Sequence, residues 1–276
     1  MAYKTILLSL NEISQVPQLI ALARQLASGH KAHVRGLYVV PAVQIYPSAG
    51  LASVAEVYDG NRKYFLDHLA KVEAQFSTAM KSDGIAFSFM KLDTATSLIS
   101  AAAVDESRNA DLVVVAATDP NEGLGPEVDF VQRLVIAAGR PVLVLPRSGA
   151  GALDLSTVIL GWDGGREAAR AVFDALPLLV KAKTVKIVRV DESSRGTMGS
   201  ASIAETLDRH GVKAEILNVS SDGLDAGAAL LRAAKDHGAG LLVMGAYGHS
   251  RFTEFIFGGA TRAVIQSLDM PVLMSH

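Results

Sequence analysis

An internal repeat constrains this chain most strongly, because three apolar blocks occur twice in the same order. YKTILLSLNE near the start resembles LSTVILGWDG from Leu155, and NADLVVVAATD from Asn109 resembles GAGLLVMGAYG from Gly238. The third pair is GRPVLVLPR from Gly139 and DMPVLMSH from Asp269. The repeat is far longer than the roughly 20–45-residue units of solenoid proteins. The sequence therefore predicts two homologous domains, residues 1–148 and 152–276, joined by RSGAGALD.

Within each half, short apolar runs alternate with stretches of helical periodicity. Strands separated by helices favour a parallel, doubly wound sheet, whose ligands bind at the carboxyl ends of the strands. The predicted fold class is therefore α/β, with two tandem five-stranded parallel sheets flanked by helices. In the second half the predicted strands are Thr157–Trp162, Thr184–Val190, Lys213–Val219, Leu241–Gly245 and Pro271–Met274.

The first half carries an additional segment after its second predicted strand, from Pro41 to Gly84. Its later part has apolar residues at helical spacing, which predicts a long core-facing helix that follows a surface loop. A mobile flap is the alternative. The apolar positions of the predicted helix are Tyr64, Leu66, Leu69, Val72 and Phe76.

Charge and composition exclude several function classes. The net charge is −2 without a long run of one sign, which argues against a broad nucleic-acid interface. The absence of cysteine excludes disulfides, thiolate metal sites and a cysteine nucleophile. No apolar run approaches the length needed to cross a bilayer, and the N-terminal residues do not resemble a signal peptide. We therefore expect a cytoplasmic protein that does not interact with membranes.

Candidate ligand-binding residues follow two strands of the second half. Asp163 comes after the first strand, where it could bind a ribose or adenine amine, or cap the next helix. The loop after the fourth strand contains Gly245, Gly248, Gly258 and Gly259 before a helix that includes Thr261. Glycines before a helix N-terminus give phosphates access to backbone N–H groups, although a tight turn explains them equally well. The spacing matches neither a Walker loop nor a Rossmann fingerprint.

These motifs resemble those of the universal stress protein family, in a tandem two-domain form. The resemblance covers nearly all of the chain and depends on GWDGGREAARAV, HGAGLLVMGAYGHSRFTEFIFGGATRAV and MPVLM. Its nucleotide-binding members carry a Gly-x2-Gly-x9-Gly-Ser/Thr motif, which implies that the glycine loop binds ATP, with Mg²⁺, in the second domain. Gly259 stands where that motif has Ser or Thr. The resemblance also implies that Asp163 and the end of the second strand, near Val190 and Asp191, contact the nucleotide.

The first half departs from the motif. Asn11 replaces the strand-end Asp, Ala116 and Asp119 replace two glycines, and Val128 and Asp129 align with Gly258 and Gly259. Carboxylates oppose an anionic ligand, so we expect no triphosphate site in this half.

Several polar residues are predicted to have no chemical role. His249 and Ser250 are adjacent, which does not make a nucleophilic pair. His30 and His33 are predicted to be exposed and not to bind metal. Arg262 is an exception: it lies in the first turn of a helix and could reach a bound anion or pair with a neighbouring acid. No catalytic residue and no metal site are predicted.

The first functional hypothesis is a stress-response protein that binds an adenine nucleotide. The alternatives are an interaction protein of the same fold without nucleotide and a slow ATP hydrolase. RPVLVLPR and MPVLM are expected to pair within one chain as an internal pseudo-dimer, and the sequence leaves open whether two chains form a homodimer.

Overall fold

A computed structural model describes residues 2–42, 51–119, 124–147, 152–191, 200–248 and 259–276, with only the backbone described for 51–59 and 61. Its ten described strands are β1 (Thr5–Ser9), β2 (His33–Val40), β3 (Phe87–Asp93), β4 (Leu112–Ala116), β5 (Val142–Leu145), β6 (Thr157–Gly161), β7 (Thr184–Val190), β8 (Ala214–Val219), β9 (Leu241–Gly245) and β10 (Val272–Ser275). The described α-helices are α1 (Val16–His30), α2 (Leu51–Ser82), α3 (Ile99–Ser107), α4 (Phe130–Ala137), α5 (Arg166–Leu179), α6 (Ser200–Arg209), α7 (Ala226–Asp236) and α8 (Gly259–Gln266). A short 3-10 helix, Ile13–Gln15, precedes α1.

The strands form one continuous sheet in the order β3-β2-β1-β4-β5-β10-β9-β6-β7-β8. The pairs within each half are parallel, and the two halves have the same strand order, which confirms the predicted α/β fold class. β4 and β5 are fully buried, as expected for parallel strands that helices cover on both faces.

The two halves of the sheet meet where β5 pairs with β10, in antiparallel register with Leu143 opposite Leu273. The predicted pairing of these two segments within the chain is therefore confirmed. Because this pair is antiparallel, the carboxyl ends of β6–β10 lie on the same side of the sheet as the amino ends of β1–β5.

The predicted second-half strands agree with the observed ones to within one residue at each end. In the described part of the chain, no helix combines the length and the apolar character required to cross a bilayer.

The additional segment forms the predicted long helix, α2. Phe65, Val72 and Phe76 are fully or almost fully buried, and the Tyr38 hydroxyl donates a hydrogen bond of 2.6 Å to the carbonyl oxygen of Phe65. The prediction that Leu66 faces the core is wrong, since 41% of it is exposed. The helix turns Phe65 inward in its place. The loop that precedes α2 lies outside the described residues.

Hydrogen bonds and ion–dipole contacts join α1 to the second half. The side-chain amide of Gln25 donates to the carbonyl oxygen of Leu153 and accepts from its N–H, both at 2.7 Å. The Lys181 ammonium donates to the Gly29 carbonyl at 2.7 Å and lies 3.3 Å from Nε2 of His30.

The prediction that His30 is exposed is wrong, because this residue is only 5% exposed and its ring packs against that of Tyr3. Burial lowers the pKa of His30 to about 4, and the nearby charges of Lys181 and Lys4 act in the same direction. His33 is partly exposed, and its Nε2 lies 3.0 Å from the Ser88 hydroxyl.

Candidate functional site

The candidate site lies at the carboxyl ends of β9, β6 and β7, which are adjacent in the sheet because β6 pairs with both other strands. The chain crosses from β6 to β7 on one side and reaches β9 on the other. This is a topological switch point, where open α/β sheets bind their ligands. The arrangement places Asp163, Val190 and Gly245 at or just after neighbouring strand ends.

Asp163 forms a local turn between β6 and α5. Its Oδ1 accepts a hydrogen bond of 2.7 Å from the N–H of Gly165, and Gly164 between them has a φ of +76°. The N-cap of α5 is Gly165, so the expectation that Asp163 caps this helix is wrong. Asp163 is exposed and lies two residues after the end of β6.

Val190 is the last residue of β7 and is partly buried, and Asp191 follows in a left-handed conformation with φ +45°. The Asp191 carboxylate accepts a hydrogen bond of 2.9 Å from the N–H of Ser221. Hydrogen bonding to Ser221 keeps the pKa of Asp191 below its usual value. The left-handed turn therefore directs this side chain toward the loop after β8.

Gly245 is required by packing at the end of β9. A Cβ at this position would lie 2.4 Å from the backbone N of Ala168 and 2.5 Å from the carbonyl carbon of Glu167. Both atoms belong to the first turn of α5. Only glycine allows the helix to approach the strand this closely.

Gly248 contacts a side chain that the sequence motif did not identify. A Cβ at this position would lie 2.6 Å from Oε2 of Glu167, whose side chain is 9% exposed. Oε1 of the same carboxylate accepts two hydrogen bonds from the Arg166 guanidinium, at 2.9 and 2.6 Å. The sequence shows that Glu167 lies in the first turn of the helix after Asp163, but it does not indicate that this carboxylate lies close to the glycine loop.

The charge of Glu167 is set by two opposing effects. Burial raises the pKa of its carboxyl group, whereas hydrogen bonds from Arg166 and from its own backbone N–H lower it, and the net shift is downward. Glu167 is therefore ionised at neutral pH. Arg166 compensates part of this charge at Oε1, and the charge that remains at Oε2, beside Gly248, opposes an anion and attracts a cation.

The hydroxyl of Thr261 has a structural partner. Thr261 is 3% exposed, and its Oγ1 accepts a hydrogen bond of 3.1 Å from the N–H of Tyr247, which has a φ of +58°. The contact ties the residues after β9 to the first turn of α8. The buried Thr261 side chain thus stabilises the conformation of the residues that follow β9.

Gly259 is the first residue of α8, and a Cβ at this position would meet no atom within 4 Å. The packing of the described residues therefore does not require glycine here, in contrast to Gly245. Arg262, in the same helical turn, is exposed. Gly258, His249 and Ser250 lie outside the described residues.

Two aromatic side chains near this edge bury polar atoms. The indole N–H of Trp162 and the hydroxyl of Tyr247 have no hydrogen-bond partner among the described residues. Burial raises the pKa of Tyr247 to about 12, and the charge of Arg262 lowers it only in part. Unpaired donors of this kind destabilise a protein unless water or a ligand accepts from them.

At the equivalent sheet edge of the first half, Asn11 forms its hydrogen bonds within the chain. Its side chain is fully buried, donates to the Val39 carbonyl at 2.7 Å and accepts from the Val39 N–H at 2.9 Å. The amide therefore binds the backbone at the end of β2. An aspartate could not donate the first of these bonds.

The carboxylates of the first-half loop also have internal partners. Asp119 forms an ion pair with Arg147, and Asp129 with Arg133, both at 2.7 Å. Their charges are thus compensated, which weakens the prediction that they repel an anion here. Val128, which aligns with Gly258, is 67% exposed.

Glu127, from the same loop, occupies the N-terminus of α3. Its carboxylate oxygens accept from the N–H of Ile99 at 3.2 Å and from that of Ser100 at 2.8 Å. The first-half loop thus brings its own anion to a helix N-terminus. At the equivalent helix of the second half, the local residue Asp225 caps α7.

Comparison with known proteins finds a family model that matches the second half. Residues 155–276 match the model of the "Universal stress protein family". A curated universal stress protein of Synechocystis sp. is 26% identical over 147 residues, which are 52% of this chain and 49% of the relative. The match therefore spans about half the length of that relative.

Solved structures share the fold over the whole chain. A universal stress protein from Archaeoglobus fulgidus is 14% identical, with a TM-score of 0.72 over 98% of this chain and 95% of that one. The cytoplasmic domain of a prokaryotic cation chloride cotransporter is 8% identical, with a TM-score of 0.52 over 99% and 95% of the two chains. At such low sequence identities, these matches show a common fold only, and the function has to be inferred from the residues of the site.

Proposed function

We propose that this chain is a stress-response protein whose second half, which matches the universal stress protein family model over residues 155–276, binds ATP or a related adenine nucleotide. The observation that carries the proposal is the strand order β9-β6-β7, which brings Asp163, Val190 and the Gly245–Gly248 loop to adjacent strand ends. In this assignment, Asp163 and Val190 contact the nucleoside, and the loop leading to α8 contacts the phosphates.

The first turn of α8 suits a phosphate group. No atom of the described residues lies within 4 Å of a Cβ placed at Gly259, and the backbone N–H groups at a helix N-terminus attract anions. Glycine supplies no hydroxyl at this position, and one hydrogen bond to a phosphate oxygen contributes on the order of 1 kcal/mol. Gly259→Ser is therefore expected to strengthen nucleotide binding several-fold.

Glu167 determines how the phosphates would be accommodated. Its ionised carboxylate at Gly248 opposes phosphate oxygens but suits Mg²⁺, a hard cation that is commonly held by one or two carboxylates together with phosphates. The donor chemistry of the site thus fits a magnesium nucleotide better than a free one. When bound, Mg²⁺ would neutralise charge between Glu167 and the phosphates.

Calorimetry of the full chain with ATP, with and without Mg²⁺, tests the proposal, and Trp162 fluorescence gives a second signal at the same edge. Asp163→Asn keeps an acceptor for the Gly165 N–H but removes the charge, so it should weaken binding without unfolding the turn. Asp208→Asn, at an exposed position on α6, is the matched control. Absence of binding at millimolar nucleotide in both the wild type and Gly259→Ser would refute the proposal.

The packing at Gly245 and Gly248 supports a second candidate, an interaction protein of this fold that holds no nucleotide. Both glycines are explained by the first turn of α5 and do not require a phosphate. Protein purified without added ligand would then show no nucleotide by absorbance or mass. Slow ATP hydrolysis is a third candidate, which sustained phosphate release abolished by Asp163→Ala would support.

A further inference from the structure

A cleft of about 400 Å³ opens between the two halves of the protein, on the side of the sheet where β4 and β5 begin. One wall consists of Tyr3, Asp111 and the turn Gly139–Pro141, and the other is the α5 face that carries Arg170, Phe173 and Pro177. Its volume is in the range of small-molecule sites. Of the described residues of the glycine loop, none lines the cleft, although α5 contributes to both sites.

The apolar part of the cleft is accessible to solvent. Phe173 is 47% exposed, and Pro141 and Pro177 line the same cleft. The ring of Phe173 meets that of His210 edge-on, with centroids 6.4 Å apart, which fixes one side of the phenyl group. An aromatic ring and two prolines offer a surface on which a planar apolar body can pack.

The acidic groups of the cleft have partners within the chain. Oδ2 of Asp111 accepts from the backbone N–H of Lys4 at 2.7 Å and from that of Thr5 at 2.9 Å. Oδ2 of Asp174 accepts from the Ser275 hydroxyl at 2.8 Å. These bonds occupy acceptor positions of the two carboxylates and hold them in place.

The two guanidinium groups differ in the way they are held. Arg170 donates to the carbonyl oxygens of Gly139 and His276 at 2.7 and 2.8 Å, so its position is fixed. Arg140 is exposed and makes one long hydrogen bond, 3.3 Å, to the carbonyl oxygen of Arg108. Within the described ranges it has no carboxylate partner. A guanidinium has five N–H donors, so Arg140 retains donors for a bidentate acceptor.

We propose that this cleft binds a small organic anion in which a carboxylate is attached to a flat apolar body. Arg140 holds the carboxylate, and Phe173 packs against the apolar body together with the prolines. Arg170 contributes less, because its Nε lies 3.7 Å from Oδ2 of Asp174, which compensates part of its charge. The site involves residues from both halves, and it does not depend on the proposed nucleotide function.

Titration of the ¹⁵N-labelled full chain with benzoate tests the proposal, with benzamide as the neutral analogue and benzamidine as the cationic one. Benzoate should shift the amides of Gly139, Arg140 and Asp111 and leave Gly245 and Gly248 in place. Benzamide should bind about tenfold more weakly, because it lacks the charge that strengthens the hydrogen bonds. Benzamidine should not bind.

Two substitutions with matched controls assign the contacts. Arg140→Gln should weaken benzoate binding at least tenfold, while Arg209→Gln, at an exposed arginine on α6, should not change it. Phe173→Ala should weaken binding, while Val180→Ala, equally exposed at 47%, should leave it intact. Equal binding of the three probes, an unaffected Arg140→Gln variant or shifts confined to another surface would each overturn the proposal.

Discussion

Replacement of Gly245 by alanine tests whether this glycine is present for packing. The new Cβ would lie 2.4 Å from the backbone N of Ala168 and 2.5 Å from the carbonyl carbon of Glu167. Ordinary contact begins at 3.4 Å, so the overlap is about 1 Å, and both obstructing atoms belong to the backbone. No side-chain rotation can relieve it. The first turn of α5 would have to move away from β9.

The cost follows from the rigidity of this contact. Overpacking in a well-packed interior costs about 1–3 kcal/mol. Because a helix turn must shift here, we expect Gly245→Ala to lower the free energy of unfolding by about 3 kcal/mol. Gly248→Ala should cost less, since the obstructing atom is the end of the Glu167 side chain, which can rotate.

Urea denaturation, followed by circular dichroism, measures the difference. Gly259→Ala is the matched control, because its Cβ would meet no atom of the described residues within 4 Å and alanine favours the helix that begins there. This variant should equal or exceed the wild type in stability. If Gly245→Ala unfolded within about 0.5 kcal/mol of the wild type, the packing explanation of this glycine would be wrong.

Variants at three further positions examine the contacts of the first half. Asn11→Ala leaves the N–H and C=O of Val39 without their side-chain partner in a buried position, so it should cost about 2–4 kcal/mol in urea denaturation. The pKa of His30 is 6.5 in the unfolded chain and about 4 in the folded protein. The free energy of unfolding should therefore decline by up to about 3 kcal/mol as the pH drops from 6.5 to 4. His30→Gln should reduce this decline. Glu127→Ala removes the acceptor at the α3 N-terminus and should lower the free energy of unfolding by about 1 kcal/mol, while Glu127→Gln should recover part of this loss. Equal stability of the wild type and both Glu127 variants would contradict the capping role.

The repeat and the strand bounds could be predicted because they depend on local patterns. A buried parallel strand needs a continuous apolar run, and a helix needs apolar residues at its own period, so both are visible in one dimension. The sequence predicts that the two halves share one sheet only through the expected pairing of the segments that contain Leu143 and Leu273. That inference succeeded because apolar edge strands need a partner.

The chemistry of individual side chains was less predictable, because it depends on neighbours distant in sequence. His30 lies in the sequence GHKAHVRG, which suggests an exposed junction, but Lys181 and Tyr3 enclose it. Asn11 was correctly noted as a departure from Asp163, yet nothing local indicated that its amide pairs with the backbone of β2. Residues 148–151, between the two predicted domains, lie outside the described ranges, and the domain boundaries stay a prediction.

The glycine loop shows why a motif alone cannot decide function. Gly245 and Gly248 are explained by the approach of α5 and Glu167, so a protein of this fold would keep them even without a ligand. Gly259 has no such constraint from the described residues, so a side chain can be added there without cost to packing. The identity of this residue is therefore more informative about phosphate binding than the two glycines before it. A gain of affinity in Gly259→Ser would show that the backbone of the loop already forms a phosphate site and that the missing hydroxyl limits it.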